Sequence, residues 1–177
     1  MRSVHRSILE EALKIRPKPQ TLLDLGCGDG SFTQVLSGSM PHASITAIDL
    51  VCPRNTSRHA NIRFMTGNVE ALRFEDNSFD LVYASLALHH WENKKQGISE
   101  AYRVLKSGGN LIIGDPLLKG WMSNRLLGWL TQKLDGGVFA TPRELTDYLE
   151  GAGFTHVHID LVPHSMRSLF LVTATKP

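Results

Sequence analysis

Residues 26–30 read Gly-Cys-Gly-Asp-Gly and directly follow a short apolar run, Thr21 to Leu25. Alternating glycines let a backbone turn sharply and approach a ligand, and the helix expected next offers unpaired N–H groups. Further on, Asp49 stands near the end of a second apolar run, Ser44 to Leu50. A carboxylate there can accept hydrogen bonds from both hydroxyls of a ribose. A glycine loop alone says little, because turns are glycine-rich for steric reasons. With the strand-end acid it points to a nucleoside. A dinucleotide fingerprint, G-x-G-x-x-G, fails at its third glycine, which is Ser31 here, and Asp29 occupies the place of a pyrophosphate. No Gly-Lys-Ser or Gly-Lys-Thr follows the glycines, so a Walker phosphate loop is excluded.

His89 and His90 stand side by side before Trp91. An unperturbed imidazole, with a pKa near ~6.5, suits a general base at neutral pH. Adjacent helical residues point about 100° apart, so one of the two is expected to face a pocket. Local capping or packing is the other reading of the pair. Neighbouring histidines cannot both ligate a metal from a helix, and no cysteine or acid lies at ligand spacing, so no metal site is expected. Cys27 fills a loop position that needs a small residue, with no basic neighbour to favour its thiolate. Cys52 has no partner argument, and two cysteines make no disulfide framework.

The elements that position these residues follow from periodicity. Val4, Ile8, Ala12 and Ile15 form an amphipathic helical stripe that Leu9 and Leu13 widen, and Pro17 and Pro19 end it. Strands are expected at Thr21–Leu25, Ser44–Leu50, Ile62–Met65, Phe79–Ala84 and Asn110–Gly114. Phe32, Val35 and Leu36 mark one helix between them. Ile98, Ala101, Tyr102 and Leu105 mark another, stopped by Gly108-Gly109. Thr141, Pro142 and Glu144 spell a capping box ahead of Leu145, Tyr148, Leu149 and Ala152. Two final strands, His156–Val162 and Ser168–Thr175, lack a clear helix between them. The fold expected is a doubly wound, mainly parallel α/β sheet, Rossmann-like, with an antiparallel strand pair at the C-terminal edge.

With 177 residues, 42% hydrophobic and 20% charged, the chain suits one domain with an ordinary core. A net charge of +2 does not announce a nucleic-acid partner, and the basic N-terminus (Arg2, Arg6, Lys14, Arg16, Lys18) reads as a solvated helix face. No run approaches a membrane span and the first residues lack a signal-peptide core, so a cytoplasmic protein is expected.

At this point the residues resemble the class I S-adenosylmethionine-dependent methyltransferases. Leu22-Leu23-Asp24-Leu25-Gly26-Cys27-Gly28-Asp29-Gly30 looks like their signature loop. The likeness continues through Ala47 to Leu50, Gly67 to Phe74, Asn77 to Val82, Leu88 to Trp91 and Arg103 to Gly109, in the family's order. It is nearest to the small-molecule group that includes ubiquinone-biosynthesis enzymes. The resemblance implies S-adenosylmethionine as cofactor, S-adenosylhomocysteine as product, and a small, partly apolar acceptor methylated on oxygen, nitrogen or carbon. It implies that Asp24, Gly26, Cys27 and Gly28 surround the methionine part. Asp49 is implied to hold the ribose, Leu50 and Val69 to meet the adenine, and the Ser85 carbonyl to meet the methionine amine. Where the family usually has an aspartate at the adenine amino group, this chain has Asn68, whose amide oxygen can still accept.

Two departures stand out. Pro53 and the polar run Arg54 to His59 replace a helix of the family, so a loop or broken helix is expected between residues 50 and 61. About 21 residues precede the glycine loop, which leaves little for an N-terminal lid. The segment 117–139 carries Trp121, Met122, Leu126, Leu127, Trp129, Leu130 and Leu134, apolar on nearly all helical faces. It reads as a lid over an apolar substrate, a homodimer or partner-subunit interface, or a buried helix. An enzyme is the first expectation. The alternative is a non-catalytic S-adenosylmethionine-binding partner subunit.

Overall fold

The computed structural model describes residues 3–51, 59–116, 138–162 and 169–177. Helix α1 (Ser3–Lys14) buries Val4, Ile8 and Ala12, and Leu9 and Ile15 pack beside them. Leu13, expected to widen this stripe, is exposed: it follows Ala12 by one residue and is turned about 100° off the buried face. Strand β1 (Thr21–Leu25) leads through the glycine loop to α2 (Ser31–Ser39), β2 (Ser44–Asp49) and β3 (Ile62–Thr66). Then come β4 (Phe79–Ser85), a 3-10 turn at Leu88–His90, α3 (Lys94–Val104) and β5 (Leu105–Pro116). Helix α4 (Pro142–Ala152), β6 (Thr155–Leu161) and β7 (Leu169–Thr175) complete the chain. The capping box of α4 is formed by Thr141 and Glu144 with Pro142 in the first turn, as the sequence signature requires.

The strands form one sheet in the order β3-β2-β1-β4-β5-β7-β6. All neighbours from β3 to β5 are parallel, and β7 runs antiparallel to both β5 and β6. The strand order reverses between β1 and β4, so the loops leaving their carboxyl ends diverge and open a crevice, where such sheets bind ligands. One face of the sheet carries α1 and α2 over Leu22, Ile45, Leu81, Tyr83 and Ile112. The other carries α3 and α4 over Leu23, Leu25, Val82, Leu111 and Ile113. Gly114 on β5 is a contact point: a Cβ there would lie 2.3 Å from Val4 Cγ2, so α1 rests on the sheet at a residue without a side chain. No helix among the described residues is long and apolar enough to cross a membrane.

Leu105 departs from expectation, since it opens β5 instead of ending α3. It pairs with Phe79, and the register then shifts until Asn110 meets Leu81. Gly108, at φ 76°, carries part of the extra chain, as a bulge requires. The end of α3 is closed from far away in sequence. The buried Lys176 ammonium donates to the carbonyls of Leu105 (2.7 Å) and Tyr102 (3.0 Å) and to Asn77 Oδ1 (2.9 Å), and stands 4.7 Å from the Tyr102 ring centroid. A cation there satisfies carbonyls that the last turn leaves open and faces the negative end of the helix. Lys176→Ala should therefore lower folding stability by about 2 kcal/mol, the scale of hydrogen bonds to a charged group, measured by urea unfolding. A loss within experimental error would show that water replaces the ammonium.

Candidate functional site

The turn from β1 into α2 is tied to the end of β2. The Gly26 and Cys27 N–H groups both donate to the Ile48 carbonyl, at 2.9 and 3.0 Å. Gly28 N–H donates to Asp49 Oδ2 at 2.8 Å, and Val51 N–H reaches Oδ1 at 3.3 Å. Gly26, Gly28 and Gly30 have φ of 84°, 56° and 75°, a region that residues with a side chain enter at a cost of about 1–2 kcal/mol. A Cβ on Gly26 would come within 2.6 Å of Ala87 Cβ, and one on Gly30 within 2.7 Å of the Phe64 ring. A Cβ on Gly28 would meet nothing within 4 Å. That glycine borders open space. Asp29 turns inward along the chain, its Oδ1 accepting Ser31 N–H at 2.9 Å, and so supplies the carboxylate that the first turn of α2 favours.

Two cavities flank this loop and share Gly26, Gly28 and Leu86. The larger, about 540 Å³, is lined among others by Asp49, Leu50, Asn68, Val69, His90 and Trp91. The second, about 430 Å³, is lined by Asp24, Cys27, Asp29, Ser85 and, from α1, His5. Both volumes fall in the range of small-molecule sites. Leu86, between them, takes a left-handed φ of 55°, held by its N–H bond to the Gly114 carbonyl at 2.8 Å. Strain of this kind gathers where a chain must present its backbone to a ligand. The Ser85 Oγ is buried with no hydrogen-bond partner among the described residues.

Of the site residues singled out from the sequence, all but His89 line one or both of these cavities. Leu50 is largely exposed at the rim and Val69 buried in the wall. The Asn68 Oδ1 accepts Glu70 N–H at 2.9 Å, which leaves that oxygen one further lone pair and the NH₂ both of its donors. Glu70 Oε1 in turn accepts Asn93 N–H at 2.7 Å. The loop behind is clamped by Arg103, which donates to the Leu72 and Phe74 carbonyls and pairs with Glu100 and Asp76. Asp24 lies below the surface, its Oδ2 accepting the Thr33 hydroxyl at 2.6 Å. Burial pushes its carboxyl up to about 7, against the pull of the Thr33 and Tyr83 hydroxyls and helped by nearby Asp49.

His89 and His90 part company. They sit in a 3-10 turn with rings in contact, centroids 4.0 Å apart. His90 lines the larger cavity. His89 points instead to Asp115 at the end of β5, Nδ1 to Oδ1 at 2.9 Å, and Phe139 stacks on its ring at 5.2 Å. Asp115 escaped the sequence reading, although the rule that selected Asp49, an acid closing a parallel strand, applies equally to Gly114-Asp115-Pro116. Trp91 was another miss as a wall residue. It packs where Gly97 leaves room, since a Cβ on Gly97 would come within 2.6 Å of Trp91 Cε3. No group of three or more His, Cys, Asp or Glu suited to a metal is assembled among the described residues. Cys52, the run 54–58 and nearly all of the segment 117–139 lie outside the described residues.

A family model for a methyltransferase domain matches residues 23–113. Over 169 residues the chain is 30% identical to a malonyl-(acyl-carrier protein) O-methyltransferase of Methylococcus capsulatus, covering 90% of this chain and 60% of that protein. It is 35% identical over 104 residues to a ubiquinone/menaquinone biosynthesis C-methyltransferase of Citrobacter koseri, covering 53% and 41%. The chain thus spans about 40 to 60% of the length of these curated relatives. Human N-acetylserotonin methyltransferase, solved with its methyl donor, shares the fold at a TM-score of 0.75 and 23% identity, covering 97% of this chain and 51% of that one.

Asp24 gives a pH signature. An unfolded aspartate titrates near 3.8, whereas the buried one titrates at about 7. Between these values the folded chain keeps a proton that the unfolded chain has released. The contribution of Asp24 to stability is therefore fully present below about pH 4 and is lost as pH rises towards 7, by up to ~1.4 kcal/mol per unit. Urea unfolding across pH 4 to 7 should show this slope, and Asp24→Asn should flatten it. Equal slopes in both proteins would mean that Asp24 is ionised throughout.

Proposed function

The chain belongs to the methyltransferase domain family, and from that premise we propose that it carries a methyl group from S-adenosylmethionine to a small, partly apolar acceptor. The observation that supports this most directly is the open space at Gly28 beside Asp49. A nucleoside needs its backbone neighbour to be bare and a carboxylate within reach of its ribose, and both stand there. Asp49 spends one oxygen on Gly28 N–H and the other on a long bond from Val51. A carboxylate has about four lone-pair sites, so two hydroxyls can still be accepted. Leu50 and Val69 offer apolar contact to a base from the two sides of the larger cavity. In the second cavity, Asp24, Gly26 and Cys27 border the space for the amino-acid end, and Ser85 offers its carbonyl there.

The cofactor supplies a methyl on a sulfonium: the acceptor's lone pair bonds to that carbon as the carbon–sulfur bond breaks and its electron pair stays on sulfur. The chain's task is to align the acceptor and keep water out. His90, in the cavity wall, and His89, on Asp115, stand on the side of the glycine loop where β4 and β5 end. Either imidazole can take a proton from an acceptor that must lose one.

Calorimetric titration with S-adenosylmethionine, S-adenosylhomocysteine and NAD, side by side, tests the reading. Micromolar binding of the first two without NAD is the expected result. Binding of neither sulfur nucleoside would remove the transferase reading. Asp49→Ala should weaken S-adenosylmethionine by about 10- to 150-fold, or ~1.5–3 kcal/mol, and unchanged affinity would take Asp49 out of the ribose site. Asn68→Asp should tighten binding several-fold in the same titration. The Asn68 Oδ1 already accepts Glu70 N–H and has one lone pair left for the adenine amino group, whereas an aspartate brings a second acceptor oxygen and a charge.

A further inference from the structure

We propose that Asp24 makes the second cavity select nucleosides that carry a cationic amine, by releasing its carboxyl proton to solvent as the amine binds. The proposal rests on the transferase reading and deepens it by naming the group that reads the amino-acid end. Asp24 stands on β1 below the glycine loop, 2% exposed, and lines the cavity that Gly26, Cys27 and Gly28 border. From α2, the Thr33 hydroxyl donates to its Oδ2 at 2.6 Å. From β4 it is faced by the buried Tyr83 hydroxyl, and from β2 by a second carboxylate, Asp49. Cys27 and Asp29 of the loop and His5 of α1 complete the titratable groups of this cavity, and the His5 ring is stacked on Phe32 at 4.4 Å. No lysine or arginine is among the described lining of either cavity. A carboxyl thus sits at the floor of a small-molecule space with two other acids near it and no strong cation beside it.

An anion held out of water without a countercharge is costly, so the carboxyl keeps its proton. Burial raises it to about 7, and the charge of Asp49 adds to the effect. An ammonium group entering the cavity reverses this balance. It supplies the missing charge, and a carboxylate hydrogen-bonded to a cation is favoured over a neutral acid beside one. The step moves one proton. The carboxyl O–H passes it to solvent water, the ammonium keeps all of its own, and one of its N–H groups then donates to the carboxylate. A ligand without the amine brings no charge and leaves the proton in place. The sign follows directly. Below about pH 7 binding must expel a proton, so affinity for an amine-bearing nucleoside rises with pH, by up to about tenfold per unit, and levels off above.

Calorimetry on the full chain, repeated in buffers of different ionisation enthalpy, counts the proton. At pH 6, S-adenosylhomocysteine should release close to one proton per site, and at pH 8 close to none. Methylthioadenosine, which has the nucleoside and the thioether but no amine, should release none at either pH. Asp24→Asn keeps an acceptor for the Thr33 hydroxyl and has no carboxyl proton to give. It should bind S-adenosylhomocysteine without release, and its preference for that ligand over methylthioadenosine at pH 8 should be several-fold smaller than that of the unaltered chain. Binding of S-adenosylhomocysteine at pH 6 without release, or equal release with methylthioadenosine, overturns the proposal. Unchanged release in Asp24→Asn also overturns it, by assigning the proton to another group such as His5. Should that variant fail to fold, the comparison of the two ligands needs no variant. Failure of the transferase reading shows separately, as absent binding of both sulfur nucleosides.

Discussion

The carboxyl edge of the sheet depends on how β1 turns into α2. Three glycines in left-handed conformations make that turn, and each meets a different constraint. Gly26 is pressed against Ala87, beyond β4, and Gly30 against Phe64 of β3, so a side chain at either would push the loop off its neighbours. Gly28 is under no such pressure, and its bareness opens the space between the two cavities. The loop is thus sealed to the protein at both ends and left accessible in the middle. Its bonds to Ile48 and Asp49 fix the height of that middle relative to β2. The acid that faces the cavity is therefore also the one that holds the loop.

Helix α3 carries this order from one side of the site to the other. At its start, Asn93 caps the helix by accepting Gln96 N–H and gives its own N–H to Glu70, next to Asn68 and Val69. In its middle, Gly97 admits Trp91, which follows the two histidines. Towards its end, Arg103 grips the carbonyls of the loop behind Val69, and Lys176 closes the last turn. Displacing α3 would move the cavity wall at Asn68 and Val69 and the histidine turn together. The interactions are individually modest, about 1–3 kcal/mol for a charged hydrogen bond. They converge on one element, which fixes the two walls of the larger cavity relative to each other.

What was legible in the sequence was local. The strand ends at Leu25 and Asp49, the capping box at Thr141 and the stripe of α1 each depend on residues a few positions apart, and each formed where its pattern stands. The antiparallel edge followed from two β-rich runs with no helix between them. Leu105 was misjudged because its apolar side chain suits the helical period as well as a buried strand, and pairing with Phe79 decided between them. The histidine pair was visible as chemistry, but not its division of labour. The two rings touch, although a 3-10 turn sets neighbouring residues about 120° apart. His89 finds its partner 26 residues away, across a strand pairing that no local period encodes.

The surroundings of His89 show the same non-local geometry. Asp115 is almost the last residue of β5, and it binds His89. When the described chain resumes at Val138 it returns to the same histidine, through a backbone bond to the His89 carbonyl and the ring of Phe139. Both flanks of the segment between them therefore meet one histidine, Asp115 and Phe139 at its ring and Val138 at its carbonyl, next in sequence to His90 of the cavity wall. The cofactor end is built from strand ends and a short loop, which any member of the fold can supply. The histidine end joins a turn, a distant strand end and residues 138 and 139, so it rests on contacts that no local pattern encodes.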